Sequence, residues 1–290
     1  SLVKTTNRFS GIDWGTESTA IVYDYWWDTR NRKAYVFNPS NPSSKPKVLY
    51  DRNYQDIYSD PGSFLKTRNI FNKSVLMLHK GSAFLRGAGF SEEGQFPFID
   101  KVNITTLNKS RVYQSKFTDK VEAIQDYNPA TNELIVRIES PTEYPNYYSK
   151  KINGKRLVKI TDFENPFEEL KNVKKEVITY KRDDGLELSG ILYLPVNYDE
   201  EKKEKAPMIL WAYPREFKDR NSASQSNKNA NRFTSPYYGS MVYWVTKGYV
   251  VLDDASFPII GEGDEEPNDS FRRQLVANGK AAIDAVDKMG

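Results

Sequence analysis

The stretch Lys175–Pro195, KEVITYKRDDGLELSGILYLP, divides the chain into two differently built parts. It reads as a β-hairpin. Apolar positions alternate along both arms, at Val177 and then at Leu186, Leu188, Leu192 and Leu194, and Asp183-Asp184-Gly185 has the composition of a tight turn. After a charged loop, DEEKKEKA (199–206), the run PMILWAY (207–213) suits a strand buried on both faces. FTSPYYGSMVYWVTKG (233–248) has helical spacing, with Met241, Trp244 and Val245 on one side and Gly248 as C-cap. YVVLDDAS (249–256) reads as a second buried strand. A last helix is expected from about Asp269 to Met289, N-capped by Asn268 or Asp269, with Phe271, Leu275, Ile283 and Val286 on its apolar face. A hairpin followed by strand, helix, strand, helix is the order of an α/β sheet.

Upstream, to about residue 172, the chain reads as short alternating strands broken by turns. TAIVYDYWW, KAYVFNP and PKVLYD form one group, SVLMLHK, AFLRGAGF and SRVYQS a second, and NELIVRIES, YYSKKING and RLVKITDF a third. Each group closes on a basic residue followed by an aliphatic one, at Val48, Val112 and Leu157. The second interval, 45 residues, is the length of a four-stranded propeller blade. The first, 64 residues, is explained by an insertion, RNYQDIYSDPGSFLKTRNI (52–70). Three blades do not close a propeller, so the expectation is about three blades of an incomplete β-propeller over residues 1–172, joined through FENPFEELKNV to an α/β part over 173–290. An irregular β-sandwich is the alternative for the first part.

Composition excludes several functions. In 290 residues, 42 basic and 39 acidic side chains leave a net charge of +3, without a basic run of five, so nucleic acid is not an expected partner. No segment has the length and apolarity of a membrane-crossing helix, and the N-terminus lacks the order of a secretion signal. The expectation is a soluble chain, cut or processed, without membrane insertion. The absence of cysteine removes disulfides and thiolate sites and leaves the compartment open, with an extracytoplasmic one favoured over the cytoplasm. A single histidine, His79, cannot build a His-rich metal site. The loop PIIGEGDEEPNDS (258–270) sits where a phosphate loop would, yet it lacks the P-loop lysine and carries Glu262, Asp264, Glu265, Glu266 and Asp269, which repel phosphate. Its order is not that of a calcium loop either. It reads as a solvated acidic loop at a helix start, and no cofactor or metal is expected.

The residues then carry a resemblance. APMILWAYPREFK (206–218) together with TKGYVVLDDASFPIIGEGDEEPNDSFRRQLVANGKAAIDAV (246–286) resembles the prolyl oligopeptidase family, in its glutamyl endopeptidase branch, and RFSGIDWGTESTAIVYDYWW (8–27) is similar to the propeller portion of that branch. The likeness covers nearly the whole chain and is weakest between about residues 64 and 160. It implies a propeller followed by the N-terminal part of an α/β-hydrolase catalytic domain, a peptide substrate and acyl transfer through a seryl intermediate. It also implies a G-x-S-x-G elbow, an Asp and a His beyond Gly290, because no G-x-S-x-G occurs in the 290 residues; the chain alone is then expected to be inactive. By the same resemblance Tyr213 takes the place of the oxyanion donor at a strand end, the alternative being a tyrosine packed at a strand terminus.

The segment after Tyr213 holds Arg215, Lys218, Arg220, Lys228 and Arg232 against Glu216 and Asp219, a local excess of three positive charges. It suits an acidic P1 side chain, with Arg215 and Arg232 the expected contacts, or it is a solvated basic loop. Two other functions stay open: a non-catalytic scaffold, and a dipeptidyl peptidase or esterase of the same fold.

Overall fold

The computed structural model describes residues 2–199, 201–202 and 204–290, so Glu200 and Lys203 of the charged loop lie outside the described residues. The chain is mostly β-sheet with few helices. It forms two compact units, Ser1–Thr118 with Glu122–Ile138 and Asn146–Thr161 in the first, and Asp119–Val121 with Glu139–Pro145 and Asp162–Gly290 in the second.

The first unit is built from antiparallel sheets. Strands β1 (Arg8–Thr16), β2 (Thr19–Trp26), β3 (Asn31–Phe37) and β4 (Lys47–Asn53) pair in chain order. In the second sheet, β5 (Ser63–Phe64) and β6 (Leu78–His79) both pair β7 (Ser82–Gly87), which continues to β8 (Phe98–Asn103) and β9 (Lys109–Gln114). The third sheet again follows chain order: β10 (Val121–Asn128), β11 (Glu133–Glu139), β12 (Asn146–Lys151) and β13 (Leu157–Lys159).

Successive residues of a strand face opposite ways, and β7 uses both faces. Ala83 and Leu85 pack with Ile21, Ala34 and Val36 of the first sheet, while Phe84 packs with Ile124, Leu134 and Val136 of the third. The second sheet is thus held between its neighbours by apolar burial.

Val48, Val112 and Leu157 fall in β4, β9 and β13, the last strand of each sheet. The stretch 52–70, expected as a pure insertion, contributes β5, whose Phe64 is buried in the core. Each sheet also has a strand that the sequence reading omitted, namely β1, β8 and β10. Buried carboxylates disguise two of them. Asp100 in β8 is gripped by Arg111 (2.5 Å) and approached by Lys109 (3.6 Å). Glu122 in β10 accepts from Lys150 (2.6 Å) and from the Tyr113 hydroxyl (2.5 Å).

The second unit holds a sheet of β14 (Lys175–Lys181), β15 (Glu187–Tyr193), β16 (Met208–Phe217) and β17 (Val250–Ile260), in the order β14-β15-β17-β16. The hairpin β14–β15 closes as expected. Gly185 takes φ +82°, which glycine adopts without steric cost, and the turn's backbone bonds link Arg182 with Gly185 and Leu186 (both 2.9 Å). β17 pairs β15 antiparallel and β16 parallel. After the short helix α1 (Arg220–Ser224) comes the long α2 (Phe271–Asp287), and one face of the sheet packs Leu188, Leu192, Val250 and Leu252 against it through Ala281, Ala282, Ala285 and Val286. The other face packs Tyr193 and Val251 against Val242, Val245 and Leu170. A Cβ on Gly190 would lie 2.7 Å from Leu252 Cδ1, so any larger residue there would have to displace the buried Leu252 side chain.

Three expectations for this unit are corrected. PMILWAY is not buried on both faces; β16 is the edge strand among the described residues and leaves Trp211 and Tyr213 exposed. Residues 233–248 do not form an α-helix. Pro236 and Gly239 break the run, and only Met241–Lys247 coils, as a 3-10 segment capped by Ser240 and by Gly248 at φ +83°. Its three-residue period buries Val242 and Val245 and turns Trp244 outward. The last helix starts at Phe271, after a 3-10 turn (Pro267–Ser270) whose cap is Glu266, boxed with Asp269, and not Asn268 or Asp269. Its buried positions are Gln274, Asn278 and Ala282, with Ile283 exposed; the inward row is polar in its first half and apolar only from Ala281 on.

A β-bulge interrupts the parallel ladder. Leu210 pairs Leu252 but Ala212 pairs Ala255, so Trp211 alone faces both Asp253 and Asp254. Asp254 has φ +48°, and pairing with β15 ends at Asp253. Beyond the bulge β17 runs with β16 only, to Ile260.

Candidate functional site

Strand periodicity puts Trp211, Tyr213 and Arg215 on the same face of β16, all exposed. Tyr213 is 79% exposed, and among the described residues its hydroxyl has no hydrogen-bond partner. Its register neighbour on β17 is Ser256. The phenol is thus anchored by a two-stranded parallel ribbon, with its hydroxyl uncommitted at the surface.

Next to this position lies a polar cluster with no apolar or motif signal in the sequence. The Lys228 side chain is 5% exposed; its ammonium donates to Ser256 Oγ (3.2 Å) and pairs with Asp254 (3.6 Å). Ser256 Oγ meets Ser189 Oγ (3.3 Å), which donates to Ser226 Oγ (3.2 Å). Burial pulls the Lys228 ammonium below its ordinary pKa, partly offset by Asp254, and burial raises Asp253. Further along, Lys175 donates to Thr234 Oγ1 (3.1 Å) and to the carbonyl of Arg232, and burial lowers its pKa to about 8.

The basic segment after Tyr213 sorts into two sets. Lys218 pairs with Glu266 (3.2 Å), Arg220 with Asp184 (2.8 Å) and Lys228 with Asp254 (3.6 Å). Among the described residues the guanidinium groups of Arg215 and Arg232, both exposed, have no carboxylate partner. Strand alternation puts Arg215 on the tyrosine's own face, whereas Arg232 lies on the loop after β16, its carbonyl accepting from Lys175.

The acidic loop 258–270 is held by this same segment. Lys218 reaches the Glu265 carbonyl (3.1 Å) and the Glu266 carboxylate, and the Arg220 backbone N–H donates to Glu262 (3.3 Å). Gly261 turns the chain where a Cβ would lie 2.5 Å from both the Glu265 carbonyl and the Pro267 nitrogen. His79 lies in β6 of the first unit.

At the base of the loop, Arg182 is buried. It forks Asp184 (2.9 and 2.7 Å) and reaches Asn278 Oδ1 (3.0 Å), Gln274 Oε1 (3.3 Å) and the Pro258 carbonyl (3.4 Å). Gln274 in turn brackets Ile260, accepting from its N–H (3.0 Å) and donating to its carbonyl (2.8 Å). The signal available in the sequence was the i, i+4 spacing of Gln274 and Asn278, which an apolar-face search passes over.

Comparison with known proteins gives the following. No family model matches the chain. Over 304 aligned residues it is 36% identical to an Oryza sativa subsp. japonica protein named as a chloroplastic glutamyl endopeptidase, and 34% identical to an Arabidopsis thaliana protein of the same name. Each match covers 100% of this chain and 32% of the relative, so the chain spans about a third of their length. Among solved structures, a Bacteroides ovatus crystal structure assigned as a dipeptidyl aminopeptidase IV superposes with TM-score 0.54 at 16% identity, covering 97% of this chain and 45% of that one. That likeness is one of fold.

Proposed function

We propose, for a chain that is related along its whole length to the glutamyl endopeptidases of the prolyl oligopeptidase family, that it forms part of a serine peptidase cleaving after glutamate. Residues 1–172 are blades of its propeller and residues 173–290 the first part of its α/β-hydrolase domain. The successive antiparallel sheets of four, five and four strands and the mixed sheet covered on both faces support this division.

Tyr213 carries the reading. A peptide carbonyl attacked by a seryl oxygen develops negative charge on its oxygen, and a donor already aimed at that point stabilises the transition state with little reorganisation. The exposed, uncommitted hydroxyl of Tyr213 is such a donor. The nucleophile, its acid and its histidine base lie outside residues 1–290, and the open edge of β16 accepts the next strand of the sheet. Arg215 and Arg232, lacking internal carboxylates, meet the P1 glutamate.

The full-length protein tests this. Tyr213→Phe is expected to lower kcat by about 10² to 10³ with KM changed only a few-fold. Unchanged turnover removes Tyr213 from the site. A fluorophosphonate is expected to label one serine outside residues 1–290, and labelling within them overturns the domain assignment. Release of dipeptides from free N-termini, without internal cleavage at glutamate, favours a dipeptidyl peptidase.

A further inference from the structure

We infer that Lys228 is a positioning residue for Tyr213, acting by pinning the bulge of β17. The inference rests on the reading of Tyr213 as oxyanion donor and adds a residue through which that donor is held.

The register of β16 on β17 is reset at the bulge, two residues before Tyr213, where Trp211 faces both Asp253 and Asp254. Side chains on a strand alternate, so a slip of one residue here would turn Tyr213 to the opposite face. The bulge is not held by backbone pairing alone, since the ladder with β15 stops at Asp253. It also requires Asp254 at φ +48°, a left-handed conformation that aspartate tolerates better than most residues but that persists only where the surroundings impose it.

Lys228 supplies that imposition. Its ammonium bridges the bulge residue Asp254 and the strand just beyond it, 3.6 Å from the Asp254 carboxylate and 3.2 Å from Ser256 Oγ. Ser256 is the register neighbour of Tyr213. The lysine's own segment is tied down in turn, because Ser226 accepts from Ser189 of β15 and Ser189 meets Ser256. The charged groups acting on the ammonium are Asp254 and Asp253, which favour it, and Arg215, which opposes it. A lysine on an ordinary solvated loop keeps its head in water; this one is withdrawn to 5% exposure and given polar partners on one structural irregularity.

A double-mutant cycle in the full-length enzyme tests the inference. Lys228→Met is expected to lower kcat about 10- to 100-fold with KM within about three-fold, and Lys228→Arg to recover most of the loss. In a Tyr213→Phe background, Lys228→Met is expected to cost less than about two-fold more, because the donor it positions is already gone. Equal fold-losses in both backgrounds, or an unchanged kcat for Lys228→Met, overturn the inference. If Tyr213→Phe itself leaves kcat intact, the donor assignment falls and the inference falls with it, a result distinct from additivity. Should Lys228→Met not fold, Asp254→Gly and Asp254→Val replace it in the cycle. Glycine at φ +48° should keep kcat within a few-fold, while valine should lose activity only where Tyr213 is present; equal losses with valine in both backgrounds overturn the proposal.

Discussion

Replacing Arg182 by methionine should detach the acidic loop and the start of α2 from the hairpin, at a cost that can be followed atom by atom. Three acceptors of the guanidinium keep other donors. The Pro258 carbonyl retains Asn278 Nδ2 (3.0 Å), Gln274 Oε1 retains the Ile260 N–H (3.0 Å), and Asp184 retains Arg220 (2.8 Å) and the Leu186 N–H (3.2 Å). Asn278 Oδ1 is the one left orphaned, in a side chain that is 0% exposed. A buried unsatisfied acceptor costs about 1–3 kcal/mol, and loss of a partly exposed ion pair about 1 kcal/mol or less. The total, about 1–4 kcal/mol, corresponds to roughly 5- to 900-fold loss of amide protection. Hydrogen exchange on the full-length protein, read at Ile260 and along the first turns of α2, measures it. Arg182→Met with Asn278→Leu removes the Asn278 orphan but strips the Pro258 carbonyl of both its donors (3.4 and 3.0 Å), so one buried orphan replaces another and the double variant should be about as labile as the single one. A double variant more than about ten-fold better protected than the single one, or a single variant with less than about five-fold loss, refutes the reasoning.

Arg215→Gln and Arg232→Gln in the full-length enzyme should each lower kcat/KM on glutamate peptides by about 1.5–3 kcal/mol while sparing glutamine at P1; equal losses on both substrates assign the arginines to the loop's structure. Lys175 titrates at about 8 in the fold against 10.5 ordinarily, so between these values the unfolded chain binds more protons and stability rises with pH. Below about pH 8 the cost of burying the charge is fully present. Wild type should therefore gain on Lys175→Met as pH climbs from about 8 to 10.5 in urea titrations, and a difference independent of pH would contradict the depressed value.

The hairpin, its Gly185 turn and the closing strands at Val48, Val112 and Leu157 were legible because local chemistry decides them: alternation, a residue able to take positive φ, and a repeated basic-aliphatic pair. β8 and β10 were not, since Asp100 and Glu122 occupy inward positions that only a partner distant in sequence, Arg111 or Lys150, makes tenable. The same limit hid the inner face of α2, where Gln274 and Asn278 are apolar in location and polar in kind. Tyr213 was found through resemblance, and its exposure at an edge is a tertiary fact. Lys228 was counted only as one charge among five, because nothing in NSASQSNKNANRF announces that it folds under a bulge.

The mooring of the acidic loop separates this part of the molecule from the sheet in its response to solvent. Lys218 and Arg220 hold Glu265, Glu266 and Glu262 by charge and hydrogen bonding, with Glu266 about half exposed, whereas the sheet is held by buried aliphatic side chains. At 0.15 M ionic strength the screening length is about 8 Å, and at 1 M about 3 Å, comparable with these contacts. Concentrated salt therefore loosens the loop while strengthening apolar burial if the anion is a sulfate or phosphate. Loop and sheet thus answer to different solutes: a salt series at constant temperature weakens the exposed part of the loop's mooring, while its buried Arg182 anchor and the sheet stay in place.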